Sequence, residues 1–281
     1  MITAHFNLEL SGALSSTRGK GLTIGFVPTM GALHAGHLKL VERAKQISDF
    51  VIVSIFVNPT QFGANEDFDR YPRTLDADAK LLASAEVDVV FAPSVQEIYP
   101  SGEQLEAPSA PAAASRFEGE SRPGHFNGML LVVNRLLDLV EPDFAFFGQK
   151  DAQQVALVTQ LIADRNARGR HHCHLVVVET VREPSGLAMS SRNRFLSNEQ
   201  LPIAQSLSRA LFAGATLPTR GQILERAKAE IHPEAKLEYL ELVDPISFEP
   251  TEVNKNSALL IVAAKVGNVR LLDNVIIDRK S

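Results

Sequence analysis

The sequence predicts an α/β fold: a Rossmann-like parallel-sheet nucleotide-binding domain, then a small α+β C-terminal domain. Three observations predict it. Short apolar, β-branched runs alternate with segments of helical spacing through the first two thirds of the chain. Two of those runs lead straight into glycine-containing turns that open helices, as phosphate-handling loops do. After Thr180 the order changes to two helices followed by three strands, so the domains are placed at residues 1–180 and 181–281.

Residues 24–27 form an apolar run closed by Pro28, which suits a buried strand. Leu38, Val41, Ala44 and Ile47 follow at helical spacing. Residues 50–57 are apolar almost throughout, as a parallel strand covered on both faces reads. A helix at 74–85 carries Leu75, Ala79 and Leu82 on one face, and residues 87–92 make the next strand. The stretch 107–115, APSAPAAAS, is a low-complexity interruption. A helix resumes near Phe126 with Leu130, Val133, Leu137 and Val140; 143–147 is a strand, 151–164 a helix, 175–179 the sheet's last strand. Residues 182–193 are a polar loop without period. Ser197 with Gln200 resembles a capping box. A helix at 220–231 and strands at 236–243, 258–266 and 269–276 complete the chain.

Composition narrows the function classes. The 281 residues carry a net charge of −5, which argues against a nucleic-acid-binding surface. No apolar run approaches the roughly 20 residues of a membrane span. The first residues lack the basic start and apolar stretch of a secretory signal. The single cysteine, Cys173, implies no disulfide framework. A cytoplasmic protein is expected, with no membrane and no nucleic-acid partner.

Three motifs carry chemistry. His34-Ala35-Gly36-His37 lies between a strand and a helix, where free amides face an anion and two imidazoles can donate to phosphate oxygens. Gly31 and Gly36 let the backbone approach closely. Zinc is disfavoured, because no third ligand stands near. Gly148-Gln149-Lys150-Asp151 again joins strand to helix; Lys150 offers a point charge, and Asp151 either accepts from ribose or caps the helix. Met189-Ser190-Ser191-Arg192 combines hydroxyls with a guanidinium in a loop suited to close over a polyphosphate. The tract His171-His172-Cys173-His174 reads as a polar turn entering a strand rather than a metal site, since adjacent strand residues diverge.

Six ordered blocks, VPTMGALHAGH, SIFVNPTQF, DFDRYPRTLDAD, SRPGHFNG, FFGQKDAQQ and TVREPSGLAMSSRNRFLS, resemble the pantothenate synthetases, within the HxGH nucleotidyltransferase superfamily. The C-terminal third matches in pattern only. The resemblance implies ATP-dependent ligation of pantoate and β-alanine through a pantoyl adenylate. It implies that Met30, Gly31, Ala32, Leu33, His34, Ala35, Gly36 and His37 line the ATP site, with Gly148, Gln149, Lys150, Asp151, Val181, Met189, Ser190, Ser191 and Arg192. His37, His34, Lys150 and Arg192 would be the catalytic set. Gln61 and Gln154 would bind pantoate, Gln61 also β-alanine, with Asn58, Tyr71, Arg122 and His125 as secondary contacts. ATP implies Mg²⁺, for which Asp78 is the candidate ligand, with Asp76 beside it; Ala77 stands where another acid is expected, and Gln149 where a glutamate is. A homodimer is implied, with residues 50–57 near its interface. The alternatives are another HxGH nucleotidyltransferase that leaves the nucleotide on its product, or a regulatory protein that kept the fold.

Overall fold

The computed structural model describes residues 1–63, 66, 68–253 and 257–278. It divides into two compact units: Met1–Gly148 with Leu157–Val178, and Gln149–Ala156 with Glu179–Ser281.

The first unit is built on six parallel strands: β1 (Ile2–Ala4), β2 (Ile24–Thr29), β3 (Phe50–Ile55), β4 (Val89–Phe91), β5 (Phe144–Gly148) and β6 (His174–Val178). Their order is β1-β4-β3-β2-β5-β6. The helices between them are α1 (Asn7–Arg18), α2 (Ala35–Ile47), α3 (Leu75–Ser84), α6 (His125–Val140) and α7 (Ala152–Ala167, of which only the part from Leu157 belongs to this unit), with single turns α4 (Val95–Ile98) and α5 (Glu118–Ser121). Leu40, Val41 and Ala44 of α2 bury against Val27, Val51, Val53 and Phe146. Of the residues the helical spacing offers, Val41 and Ala44 are buried and Ile47 packs against them, but Leu40 takes the place expected of Leu38.

The N-terminal strand and α1 went unseen in the sequence, because α1 shows only Leu10, Leu14 and Thr17 to the interior. The run at 50–57 is explained by position. β3 lies between β2 and β4, with Val51, Ile52 and Val53 fully buried in the sheet's interior. The low-complexity stretch is partly structured: Ala112–Ser115 make a 3₁₀ turn with Ala113 buried.

Strand order reverses beside β2, since β3 and β4 continue to one side and β5 and β6 to the other. Open α/β sheets bind ligands at such a switch point. The β2–β5 ladder covers only Gly25–Phe144 and Phe26–Ala145. Pro28 gives the reason. Thr29 presents its carbonyl to Phe56 N on the β3 side, so by strand alternation Pro28 faces β5, and it has no N–H to give there. β2 therefore runs two residues beyond the end read at Val27, while its β5 edge is released.

The second unit is an antiparallel meander, β7 (Lys236–Val243), β8 (Ala258–Val266) and β9 (Val269–Ile277). It is covered by α8 (Leu201–Ala215) and α9 (Arg220–Glu230), whose Ile203, Leu207, Leu211 and Ile223 pack on Leu260, Val262 and Leu271. Gly214 is required here: a Cβ would stand 2.8 Å from the Ile223 carbonyl oxygen. The anticipated capping box is half formed. Gln200 accepts from Ser197 N at 3.0 Å, but the Ser197 hydroxyl turns to Glu199 at 2.6 Å and the helix starts at Leu201.

Candidate functional site

The loop between β2 and α2 is held from below. Thr29 Oγ1 donates to Ser54 O at 2.7 Å and accepts from Gly31 N at 3.2 Å. Gly31 (φ 82°) and Ala32 (φ 51°) then take successive left-handed conformations, which only the first adopts without strain. The turn points Ala32 N and Leu33 N at one carboxylate, Asp78 of α3, each at 2.9 Å. Thr74 Oγ1 donates a third bond at 3.0 Å, and Asp78 is only 3% exposed.

The sequence offers Asp78 as a magnesium ligand; in the fold both of its oxygens accept hydrogen bonds, from the loop amides and from the Thr74 hydroxyl, so it anchors the loop. Among the described residues no three His, Cys, Asp or Glu side chains gather to hold a metal.

His34 is the N-cap of α2. Its Nδ1 accepts from Gly36 N at 3.1 Å, and His37 Nδ1 accepts from His34 N at 3.3 Å. The imidazoles thus form a reciprocal capping box, with ring centroids 4.1 Å apart. The arrangement fixes the tautomer: an Nδ1 that accepts leaves the neutral ring's proton on Nε2. Both rings are therefore Nε2–H donors at a helix N-terminus with no acidic residue in its first turn.

Gln61 lies in the 3₁₀ turn Pro59–Gln61 after β3, and it is buried. Asn58 Nδ2 donates to Gln61 Oε1 at 3.0 Å and to Gly128 O at 3.1 Å; Tyr99 Oη donates to Asn58 Oδ1 at 2.7 Å. With its oxygen so held, the Gln61 amide directs its N–H to Met30 Sδ at 3.3 Å. Gln61 thus touches the loop between β2 and α2.

His125 Nδ1 donates to Gln61 O at 2.8 Å, and its Nε2 accepts from Arg122, which grips Glu66 with two bonds of 2.7 and 2.6 Å. Burial, reinforced by the Arg122 charge, holds the His125 pKa below its ordinary value, so the ring is neutral in this relay. Tyr71 is packed edge-on to Phe62 at 5.9 Å.

Gly128 lets α6 meet that turn. A Cβ there would lie 2.1 Å from Thr60 O and 2.7 Å from Gln61 N. Gly128→Ala is expected to lower stability by about 1–3 kcal/mol through overpacking. It should also raise the pantoate KM more than the ATP KM, checked by thermal denaturation beside initial-rate kinetics.

In the second unit, Gln149–Asp151 form a 3₁₀ turn. Lys150 Nζ stands 3.4 Å from Asp151 Oδ1, and Gln154 is half-buried in the first turn of α7. The segment after β6 is more ordered than its polar sequence suggests. Arg182 bridges Ala188, Met189 N donates to Val181 O at 2.9 Å and Glu183 N to Leu187 O at 2.8 Å, making a short hairpin. Ser190 then caps the 3₁₀ turn Ser191–Phe195, its hydroxyl accepting from Arg192 N at 3.3 Å.

Two β9 residues that the sequence did not single out hold these pieces. Asn274 donates to Gln149 O at 3.0 Å and Lys150 O at 2.9 Å, and Arg182 forks onto Asp273 at 2.6 and 2.9 Å. Burial pushes the Asp273 carboxyl up, against the opposing pull of Arg182. The tract 171–174 carries no metal geometry: Cys173 is buried with its thiol pushed up to about 12, and its backbone is tied to Asn166.

A sequence model of the pantoate-beta-alanine ligase family matches residues 4–276. A pantothenate synthetase of Pelotomaculum thermopropionicum is 44% identical, covering 99% of this chain and 100% of the relative. One from Nocardia farcinica is 48% identical over 98% of this chain and 86% of its own. The crystal structure of pantothenate synthetase from Thermus thermophilus superposes with a TM-score of 0.93 at 41% identity, covering 99% and 100% of the two chains. The pantoate-beta-alanine ligase from Francisella tularensis, complexed with beta-gamma ATP and beta-alanine, gives 0.79 at 38% identity over 99% and 98%.

Proposed function

The chain belongs to the pantoate–β-alanine ligase family, and from that premise we propose that it makes pantothenate in two steps driven by ATP. A pantoate carboxylate oxygen attacks the α-phosphorus of ATP, forming pantoyl adenylate and releasing pyrophosphate. The β-alanine amine then attacks the acyl carbon, and AMP leaves with the electron pair of the acyl–oxygen bond. Adenylation is needed because a carboxylate is a poor electrophile with a poor leaving group.

The observation that carries this reading is the pair of Nε2–H donors of His34 and His37 on the loop whose Met30 is touched by Gln61. Two fixed donors suit charge developing on phosphate oxygens. Gln61 suits pantoate because a neutral amide orients a carboxylate without pairing its charge, so its nucleophilicity is retained. Gln61 is likewise assigned to β-alanine, and Gln154 to pantoate. Lys150 and Arg192 supply cations to the polyphosphate, while Gly148, Gln149 and Asp151 contact ribose and phosphate. The backbone from Met30 to His37, Val181, and the Met189, Ser190 and Ser191 segment complete the nucleotide contacts. ATP would enter as its magnesium complex, the ion supplying charge neutralisation to the triphosphate. No step here is assigned to a protein-bound metal.

The reading includes a cytoplasmic homodimer. Among the described residues no helix is long and apolar enough to cross a membrane.

The test uses pantoate labelled with ¹⁸O in its carboxylate. The label should appear in AMP, and AMP should form only when pantoate, β-alanine and ATP are all present. ADP as the product, or a stable nucleotidylated compound, would overturn the mechanism.

A further inference from the structure

The buried alternation along β9 breaks in its middle. Val269, Leu271 and Asp273 face the interior in turn, and then Asn274 is buried as well, at 4% exposure beside 5% for Asp273. Neighbouring strand residues point to opposite faces, so two adjacent buried polar groups need partners on both sides. Apart from Asn274 N on Asp273, their side-chain partners lie outside the sheet.

We infer that Asp273 and Asn274 are positioning residues for the nucleotide-handling segments of their unit. Asn274 sets the backbone at Lys150, and Asp273, through Arg182, sets the hairpin that presents Val181 and Met189. The inference rests on the reading of those segments as ATP contacts.

The side chains are almost fully spent on this task. Asn274 gives one amide proton to Gln149 O and one to Lys150 O, and its own oxygen accepts from Gln149 Nε2 at 3.3 Å. Two consecutive carbonyls fixed by one amide leave Lys150 little choice of direction, which is how a supporting shell sets a working cation. Asp273 accepts from both Arg182 Nη atoms and from Asn274 N at 2.7 Å. Arg182 in turn donates to Gly186 O at 3.0 Å and to Asn274 O at 3.2 Å, and it lies over the Phe212 ring at 4.9 Å. Both of its terminal nitrogens are thereby committed to the hairpin and strand. A neutral amide at 274 also suits the place. It binds carbonyls without repelling Lys150 and without adding a negative charge near a polyphosphate.

Asn274→Asp keeps the volume but sets a carboxylate against two carbonyls. It is expected to raise the ATP KM and lower kcat, each about tenfold, with the β-alanine KM changed less than about twofold. Asn274→Ser, which keeps one donor, should lose roughly threefold and serves if the aspartate variant does not fold. In a Lys150→Ala background, Asn274→Asp should add less than about twofold, because its effect passes through Lys150. Wild-type ATP kinetics in both Asn274 variants, a lowered melting temperature with all KM values intact, or fully multiplicative losses with Lys150→Ala would overturn the inference. Wild-type ATP kinetics in Lys150→Ala alone would instead overturn the underlying reading of Lys150.

Discussion

Replacing Asp78 with alanine is expected to lower kcat by about a hundredfold, with no recovery on adding magnesium. The carboxylate holds Ala32 N and Leu33 N at 2.9 Å each, across a turn in which two consecutive residues are left-handed. Hydrogen bonds to a buried charge contribute about 1.5–3 kcal/mol each, and unpaired buried amides remain when the acceptor goes. Ala32, at φ 51°, has no reason of its own to stay left-handed once that acceptor is lost. The loop would relax, carrying His34 and His37 with it, and misplacement of about 1 Å suffices for a hundredfold loss.

Asp78→Asn should be milder, about tenfold, since one oxygen still accepts while the new NH₂ faces a backbone N–H. The measurement is the rate against free Mg²⁺ at fixed ATP. A loop anchor gives an unchanged magnesium midpoint and a lower plateau. A metal ligand gives a shifted midpoint and recovery at high magnesium, which would reinstate the sequence-based assignment.

Asp78 also marks where sequence reading loses its hold. An acid in the first turn of a helix, near an ATP motif, has the composition of a metal ligand; what it bonds depends on a fold that brings α3 under a loop more than 40 residues earlier. The parallel sheet was legible because burial on both faces of β3 leaves an unbroken β-branched run. The histidine loop was legible because its neighbours in sequence are its neighbours in space. By contrast, Asp273 and Asn274 meet Arg182 and Lys150 across 91 and 124 residues, and only their polarity within a strand hinted at partners. Gly128 was equally silent, since its need for no side chain comes from Thr60 O approaching from another element. The hairpin at Val181–Met189 read as a formless loop for a related reason. It is closed by main-chain bonds and by Arg182, not by apolar period.

The histidines bring the second large effect. His37→Ala is expected to lower kcat by about a hundred- to a thousandfold, the usual loss when one preorganised donor to developing charge is removed. The tautomer sharpens the forecast. His37 Nδ1 is occupied by His34 N, so the ring's working atom is Nε2, and glutamine places an amide N–H at about that reach from the backbone. His37→Gln should therefore recover a substantial part of the activity, whereas His37→Asn, whose amide corresponds to the Nδ1 position, should resemble alanine. His34→Ala should fall between, because it removes a donor and also the N-cap that accepts from Gly36 N, at about 1 kcal/mol of helix stability. Single-turnover formation of the adenylate is the step to measure, since the donors act while charge builds on the phosphates. A proton-transfer role predicts the opposite ranking, with glutamine as inactive as alanine and with the limb of the pH–rate profile lost in both. Donation alone predicts that His37→Gln keeps the wild-type pH profile at a reduced plateau, and that outcome would confine the His37 imidazole to electrostatic work on the triphosphate.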